Sequence, residues 1–196
     1  MIVGLTGGIG SGKTTVANFF AEFNNVAIYI ADLEAKKLMS TSLEIKEKLI
    51  NEFGVNSFLN DELNRQYISE IVFKDKTKLS KLNAIVHPAV KRHFKEFVDN
   101  NSNKKYIIYE NAILFESKSN EICNYIITVT SNLKDRIKRV IDRDSSSKKQ
   151  VLERVKNQWS DDKKKLQSNY LILNNDLSVT KLQVINIHNI LTQKVR

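Results

Sequence analysis

Between Gly7 and Thr14 the chain reads Gly-Gly-Ile-Gly-Ser-Gly-Lys-Thr, an instance of the pattern G-x-x-x-x-G-K-[ST], and five of its six glycines fall between Gly4 and Gly12. Glycine at Gly7 and Gly12 lets a backbone wrap a polyphosphate with its amide hydrogens turned inward, in conformations that a Cβ obstructs. The amides of Gly8, Ile9, Gly10, Ser11, Gly12, Lys13, Thr14 and Thr15 are the candidate cradle. Lys13 reaches the outer phosphates, the Thr14 hydroxyl is a candidate Mg²⁺ ligand, and a helix starting there aims its positive end at the anion. The chemistry that suits this set is phosphoryl transfer from a nucleoside triphosphate. A dinucleotide fingerprint is excluded, since no three of these glycines have the spacing G-x-G-x-x-G.

Transfer also needs an acceptor that can lose a proton, and a carboxylate at the right place can take it. Asp32 follows the apolar run Val26 to Ile30 and is expected to close a strand at the same sheet edge as the loop. A carboxylate there serves either as a base or as a cap on the following helix. Glu110 ends Tyr106-Ile-Ile-Tyr-Glu110. It reads either as a Mg²⁺-holding acid, directly or through water, or as a structural strand-end residue. Four of the seven arginines, Arg136, Arg139, Arg143 and Arg154, lie between residues 133 and 166 of a chain rich in lysine. Guanidinium forks suit phosphate oxygens, and Arg139 and Arg143 share one helical face at i,i+4 spacing. The alternative is a solvated face with Arg143 paired to Asp144 or Asp142. His87, before the only proline, either closes a local hydrogen-bond network or touches the ligand.

Short apolar runs place the elements that must position these residues. Met1 to Thr6, Val26 to Ile30, Tyr106 to Glu110, Tyr125 to Val129 and Tyr170 to Leu173 read as buried strands separated by helical patterns. The fold class is therefore α/β, with a five-stranded parallel sheet flanked by helices and ligands at the carboxyl edge. Residues 1–32, 104–132 and 167–196 form the expected core, 33–103 a helical substrate lobe and 133–166 a helical lid. Within the lobe, Leu63, Tyr67, Ile68, Ile71 and Val72 fit one helix, and Val90, Phe94 and Phe97 another that starts after Pro88.

Composition narrows the class. The 196 residues, 41% apolar, supply one well-buried core, and the longest apolar stretch, Val26 to Ala31, is far short of a membrane span. With no secretory signal before the first strand, a cytoplasmic protein without a membrane partner is expected. The single cysteine, Cys123, excludes an intramolecular disulfide and is expected to be a buried small residue. The net charge of +9 suits anionic partners, yet no RNA-binding aromatic signature, zinc finger or basic arm occurs. No nucleic-acid partner is expected.

Taken together, these pieces resemble the dephospho-coenzyme A kinase family from Ile2 to about Asp176. The resemblance rests on Val3 to Thr14, Ala31-Asp32, Asn64-Arg65, Val72-Phe73, Leu82-Asn83, His87-Pro88, Leu114-Phe115-Glu116, Arg139, Arg143-Asp144, Arg154 and Gln158, in the family's order. It implies a P-loop kinase core and ATP-dependent phosphorylation of the ribose 3′-hydroxyl of dephospho-coenzyme A, with Mg²⁺. The roles it implies are Asp32 as base, Lys13 and the loop amides as phosphate cradle, Thr14 on the metal, and Arg139 with Arg143 as a clamp. Asn175 would lie near the adenine, and Arg65 and His87 would face the acceptor. A monomer or weak homo-oligomer is expected. The sequence departs from the family at Ile30, at Asn111-Ala112 and at Tyr170; the first removes one carboxylate and throws the chemistry onto Asp32.

Other readings fit less well. The proline-bearing motifs of nucleoside monophosphate kinases cannot exist in a chain whose only proline is Pro88. A regulatory GTPase needs Asp-x-x-Gly, but Asn51 stands three residues before Gly54, the only glycine beyond the loop. A nucleic-acid-stimulated ATPase predicts hydrolysis that rises with DNA or RNA and falls with salt.

Overall fold

The structure is a computed structural model and describes residues 1–194; Val195 and Arg196, the end of the expected core segment 167–196, lie outside the described residues. The chain divides into two compact units, one formed by Met1–Ile30 with the chain from Asn101 onward, the other by Ala31–Asn100.

The first unit is built on strands β1 (Ile2–Thr6), β2 (Val26–Ile30), β5 (Tyr106–Glu110), β6 (Tyr125–Thr130) and β7 (Tyr170–Leu173), in the order β2-β5-β1-β6-β7. All four pairings are parallel. Continuous apolar runs such as Ile2-Val-Gly-Leu-Thr6 are what a strand covered on both faces requires. Register puts Glu110 opposite both Leu5 and Ile30, so β1, β5 and β2 end level at the carboxyl edge. Helices α1 (Lys13–Ala21) and α9 (Leu177–Lys194) supply Val16, Ala17, Phe20, Val184, Ile187 and Leu191 to a core with Val3, Leu5, Ile108, Ile127, Val129 and Ile172. Burying each such side chain is worth about 1.5–3 kcal/mol, which makes this core the platform for whatever leaves the strand ends. Residues 133–166 belong to this unit as α6 (Leu133–Asp144), α7 (Lys148–Lys156) and α8 (Asp161–Leu166). The serine tract between α6 and α7 is turn chemistry: Ser145 adopts φ 51 and ends α6, and Ser147 forms a capping box with Gln150.

A buried polar pair holds this platform. The Tyr106 hydroxyl lies 2.7 Å from His188 Nδ1, and Phe23 stacks on the imidazole with centroids 3.7 Å apart. Burial pushes the His188 imidazole below its usual range. Cys123 is half-buried rather than buried; it packs beside the bare backbone of Gly4, and desolvation pushes its thiol up to about 12.

The second unit contains α2 (Ala31–Thr41), α3 (Leu43–Phe53), a short hairpin of β3 (Phe58–Leu59) and β4 (Glu62–Leu63), α4 (Arg65–Lys74) and α5 (Lys76–Asn100). Its own core joins Ile45, Leu49, Phe53, Phe58, Ile68 and Ala89. Three expectations need correction here. Asp32 does not close a strand: β2 stops at Ile30, and Asp32 sits exposed in the first turn of α2. Leu63 belongs to the hairpin and not to the helix of Tyr67, Ile68, Ile71 and Val72, because the Asn64 side chain caps Tyr67 and starts α4 after it. Pro88 lies inside α5 rather than before it, so His87 is not at a helix boundary. A proline costs an internal helix about 3 kcal/mol. Val86, Ala89, Val90 and Phe94, buried on both sides of Pro88, hold the helix together across it.

Among the described residues no helix is long and apolar enough to cross a membrane.

Candidate active site

The glycine loop leaves the carboxyl end of β1 and runs into α1, which begins at Lys13. Gly12, at the helix N-cap, adopts φ 89, and a Cβ there would overlap the Asn174 side-chain amide. Gly8 is required for a different reason, because a Cβ on it would overlap the Arg136 guanidinium. The loop is crossed internally by the Ser11 amide, which donates to Gly8 O at 3.1 Å. The amides of Gly10 and Gly12 make no hydrogen bond within the described residues. Lys13 is buried at the helix start, Thr14 is exposed beside it, and Thr15 is half-buried. Thr6 Oγ1 and Ser11 Oγ are buried at the base of the loop without hydrogen-bond partners.

The outward side of the loop is held by side chains distant in sequence. Arg136 Nε donates to Ile9 O at 2.9 Å, Arg139 Nη1 to Gly10 O at 3.5 Å and Asn174 Nδ2 to Ser11 O at 2.8 Å. The Ile9 amide, expected in the phosphate cradle, instead donates to Gln158 Oε1 at 2.8 Å, so residue 9 is held through both peptides that flank it. Of the amides in these three peptides, that of Ser11 is taken by Gly8 O, and those of Gly10 and Gly12 remain opposite the held carbonyls, an arrangement suited to a polyphosphate. Arg139 Nη2 also donates to Asn174 O at 3.1 Å, and Arg136 Nη1 to Asp161 Oδ2 at 2.7 Å.

Local packing fixes these donors. The turn from α7 to α8, which carries Gln158 and Asp161, is tied down by Glu116, whose Oε1 accepts the Trp159 amide at 2.7 Å and lies 3.1 Å from Lys164 Nζ. Lys164 is fully buried, donates to Ala112 O at 2.7 Å, and has its ammonium pKa pulled down by desolvation. Phe115 stacks on Trp159 with centroids 5.4 Å apart. Asn174 is oriented by Thr180, whose hydroxyl donates to Asn174 Oδ1 at 3.0 Å, while its own amide donates to Thr130 O at 2.8 Å.

Of the residues singled out in the sequence, Arg139 and the loop meet, but Arg143 lies on the exposed part of α6. It forms a fork with Asp144 at 2.7 and 3.1 Å, and Arg154 reaches the same carboxylate at 2.9 Å. These two guanidiniums hold the Asp144 carboxyl below the usual range. Asn175 bridges two loops of the same sheet edge: its Oδ1 accepts from Ser131 Oγ at 3.0 Å and from the Asn132 amide at 3.2 Å. Glu110 is buried at the end of β5. In the second unit, Arg65 Nη2 donates to Lys36 O at 3.1 Å and Ser40 Oγ at 2.9 Å, tying α4 to α2, and His87 is exposed midway along α5. Arg136 carries a loop contact to which the sequence reading gave no individual role, and Asn174 and Asp161 were missed altogether. Gln158 was noted only through its place in the family pattern.

The oxygen donors offered for a metal, the Thr14 hydroxyl and the Glu110 carboxylate, fit Mg²⁺. No cluster of three or more His, Cys, Asp or Glu suited to a metal occurs among the described residues. Mg²⁺ needs no such cage, since it takes one or two protein oxygens and completes its shell with water and phosphate.

Comparison with known proteins agrees with this geometry. Residues 1–180 match the family model described as dephospho-CoA kinase. A dephospho-CoA kinase of Bacteroides fragilis is 33% identical over 193 residues, covering 98% of this chain and 94% of the relative. One of Fusobacterium nucleatum is 37% identical over 177 residues, covering 89% and 90%. The crystal structure of TT1252 from Thermus thermophilus superposes with a TM-score of 0.87 at 25% identity, over 97% of this chain and 96% of that one. A phosphate loop on a five-stranded parallel sheet, matched in sequence over nearly the whole length, places this chain in the dephospho-CoA kinase family.

Proposed function

We propose that this chain, as a cytoplasmic monomer or weak homo-oligomer, transfers the γ-phosphoryl group of ATP to the ribose 3′-hydroxyl of dephospho-CoA, giving CoA and ADP. The observation that carries the reading is the loop whose Ile9, Gly10 and Ser11 carbonyls are all occupied by donors, leaving its concave side for a polyphosphate. Lys13 at the start of α1 neutralises the outer phosphates, and the dipole of α1 adds to it. Arg139, already on the loop, and Arg143, further along α6, supply guanidinium charge against the oxygens of the group in flight. Asp32 stands two residues beyond the end of β2, the strand that ends level with β1 through Glu110. It receives the proton of the attacking hydroxyl as the new P–O bond forms and the bond to the ADP oxygen breaks. Arg65 and His87, in the unit that begins with α2, are the residues proposed to face the acceptor, and Asn175 the adenine. When bound, Mg²⁺ would be held by Thr14 and Glu110 and would offset phosphate charge.

The test is incubation of the pure protein with Mg²⁺, ATP and dephospho-CoA. ADP and CoA should form in equal amounts. ADP formation that ignores the acceptor, or that rises only on adding nucleic acid, would overturn the proposal.

A further inference from the structure

Arg136 is the most deeply buried arginine near the loop, 5% exposed, and the donor reading above gives it no role of its own. Each part of it is used. Nε donates to Ile9 O at 2.9 Å, Nη1 donates to Asp161 Oδ2 at 2.7 Å, its guanidinium lies where a Cβ on Gly8 would stand, and its backbone carbonyl abuts Gly10. Asp161 Oδ2 in turn accepts from Thr130 Oγ1 at 2.6 Å, at the carboxyl end of β6. An unbroken chain of contacts thus runs from a strand end, through a buried ion pair, to one peptide of the phosphate loop.

A buried arginine is costly unless paired, and removing its partner leaves an uncompensated charge. The pairing here does more than neutralise. A guanidinium is a rigid plane, so fixing Nη1 on Asp161 fixes the direction in which Nε points, and that direction is the Ile9 carbonyl. Gln158 holds the preceding peptide through the Ile9 amide, while the Ile9 carbonyl shares its peptide with the Gly10 amide, so this peptide cannot turn without breaking the Arg136 bond. Rotation would carry its carbonyl to the face where phosphate oxygens bind, and two like dipole ends would then oppose each other.

We propose that Arg136, oriented by Asp161 and Thr130, is a positioning residue for the nucleotide: it sets the Ile9–Gly10 peptide so that the loop presents the Gly10 amide hydrogen and no carbonyl to the polyphosphate. The proposal rests on the loop's being the ATP site, and its test is separable from that reading because it uses nucleotide binding without the acceptor.

ATP affinity is measured by titration calorimetry on the full chain and on Arg136→Met and Asp161→Asn, with melting temperatures alongside, and KM is then measured for each substrate. Arg136→Met should weaken ATP binding by about tenfold or more and Asp161→Asn by about three- to tenfold, in line with loss of a charge-assisted buried bond. The KM for ATP should rise with them while the KM for dephospho-CoA stays put. A purely structural ion pair would lower the melting temperature and leave this split absent. Folded variants that bind ATP as tightly as the parent, or that raise both KM values by one factor, overturn the proposal. Should Arg136→Met not fold, Asp161→Asn decides by the same criteria, since it keeps the shape and the acceptor. A parent chain that binds no ATP overturns this proposal and the kinase reading together; one that binds ATP but does not phosphorylate dephospho-CoA overturns the kinase reading alone.

Discussion

Replacing Asn174 by alanine isolates one carbonyl of the loop. The side chain is 2% exposed and spans Ser11 O, to which Nδ2 donates at 2.8 Å, and the Thr180 hydroxyl, which donates to Oδ1 at 3.0 Å. Thr180 keeps a partner in the variant, because its hydroxyl also lies 2.6 Å from Asp176 O. The loss therefore falls on Ser11 O. A net hydrogen bond is worth about 1 kcal/mol and a buried acceptor left unpaired costs about 1–3 kcal/mol, so about 2 kcal/mol is at stake. If the loop keeps its shape, the fold bears that cost, and the melting temperature of a chain this long drops by about 4–8 °C. If the loop instead relaxes by turning Ser11 O away, the cost falls on nucleotide binding, and ATP affinity drops by about thirtyfold. Calorimetric titration with ATP and thermal unfolding of the same sample measure both. Asn174→Asp is the sharper companion, since it keeps the shape and swaps the donor for a negatively charged acceptor facing Ser11 O; it should exceed the alanine variant in whichever quantity moves. An Asn174→Ala protein that matches the parent in both melting temperature and ATP affinity would refute the idea that the carbonyl side of the loop must be held.

Four further outcomes are expected. Asp32→Asn should lower kcat by roughly 10² or more while leaving ATP affinity nearly intact, and an unchanged rate in a quench-flow or coupled assay would remove Asp32 from the base role. Arg139→Ala should weaken ATP binding, since it strips donors from Gly10 O and Asn174 O. Arg143→Ala, which breaks only an exposed fork to Asp144, should barely move the melting temperature and yet lower kcat; a kcat equal to that of the parent would end its assignment to the transferring phosphate. The fourth concerns pH. The folded imidazole of His188 titrates below 6.5, so as pH falls through that value the unfolded chain takes up a proton first and stability declines; above it the contribution is fully present. Denaturant titrations at a series of pH values should show this slope in the parent and a smaller one in His188→Gln, where the His87 imidazole, also lowered by desolvation, remains.

The strands were legible in the sequence because a parallel sheet buried on both faces demands continuous apolar runs, as in Tyr106 to Glu110; the expected buried strand Tyr170 to Leu173 is instead an edge of the sheet, where only Ile172 is buried. The glycine loop was legible because its backbone demands are local. Asp32 was placed in the wrong element because Ala31 continues the apolar strand pattern of Val26 to Ile30, whereas the first turn of α2 already begins there. Pro88 misled for the opposite reason: its local signal is a helix start, and the buried stripe from Val86 to Phe94 outweighs it. The hairpin at Phe58–Leu63 has strands of two residues each, too short for a period to register, and its only signal is Asn60-Asp61, both at positive φ.

The donors on the loop could not be read in the same way, and the reason says what the motif does and does not encode. The pattern from Gly7 to Thr14 specifies where the backbone can bend, but a bent loop has two faces, and nothing in those eight residues decides which face carries the carbonyls. That decision is made by Arg136, 127 positions from Ile9, by Arg139, 129 from Gly10, and by Asn174, 163 from Ser11. Each is an ordinary polar residue in its own neighbourhood and acquires its role only when β6 comes to lie beside β1 and β7 beside β6. Gly8 and Gly12 also look different in this light. Their lack of a side chain makes room for Arg136 and Asn174 as much as for a phosphate, so alanine at either position would expel a donor from the outer face. The motif and its distant partners therefore form one device, in which the glycines admit the groups that hold the loop with its amides inward.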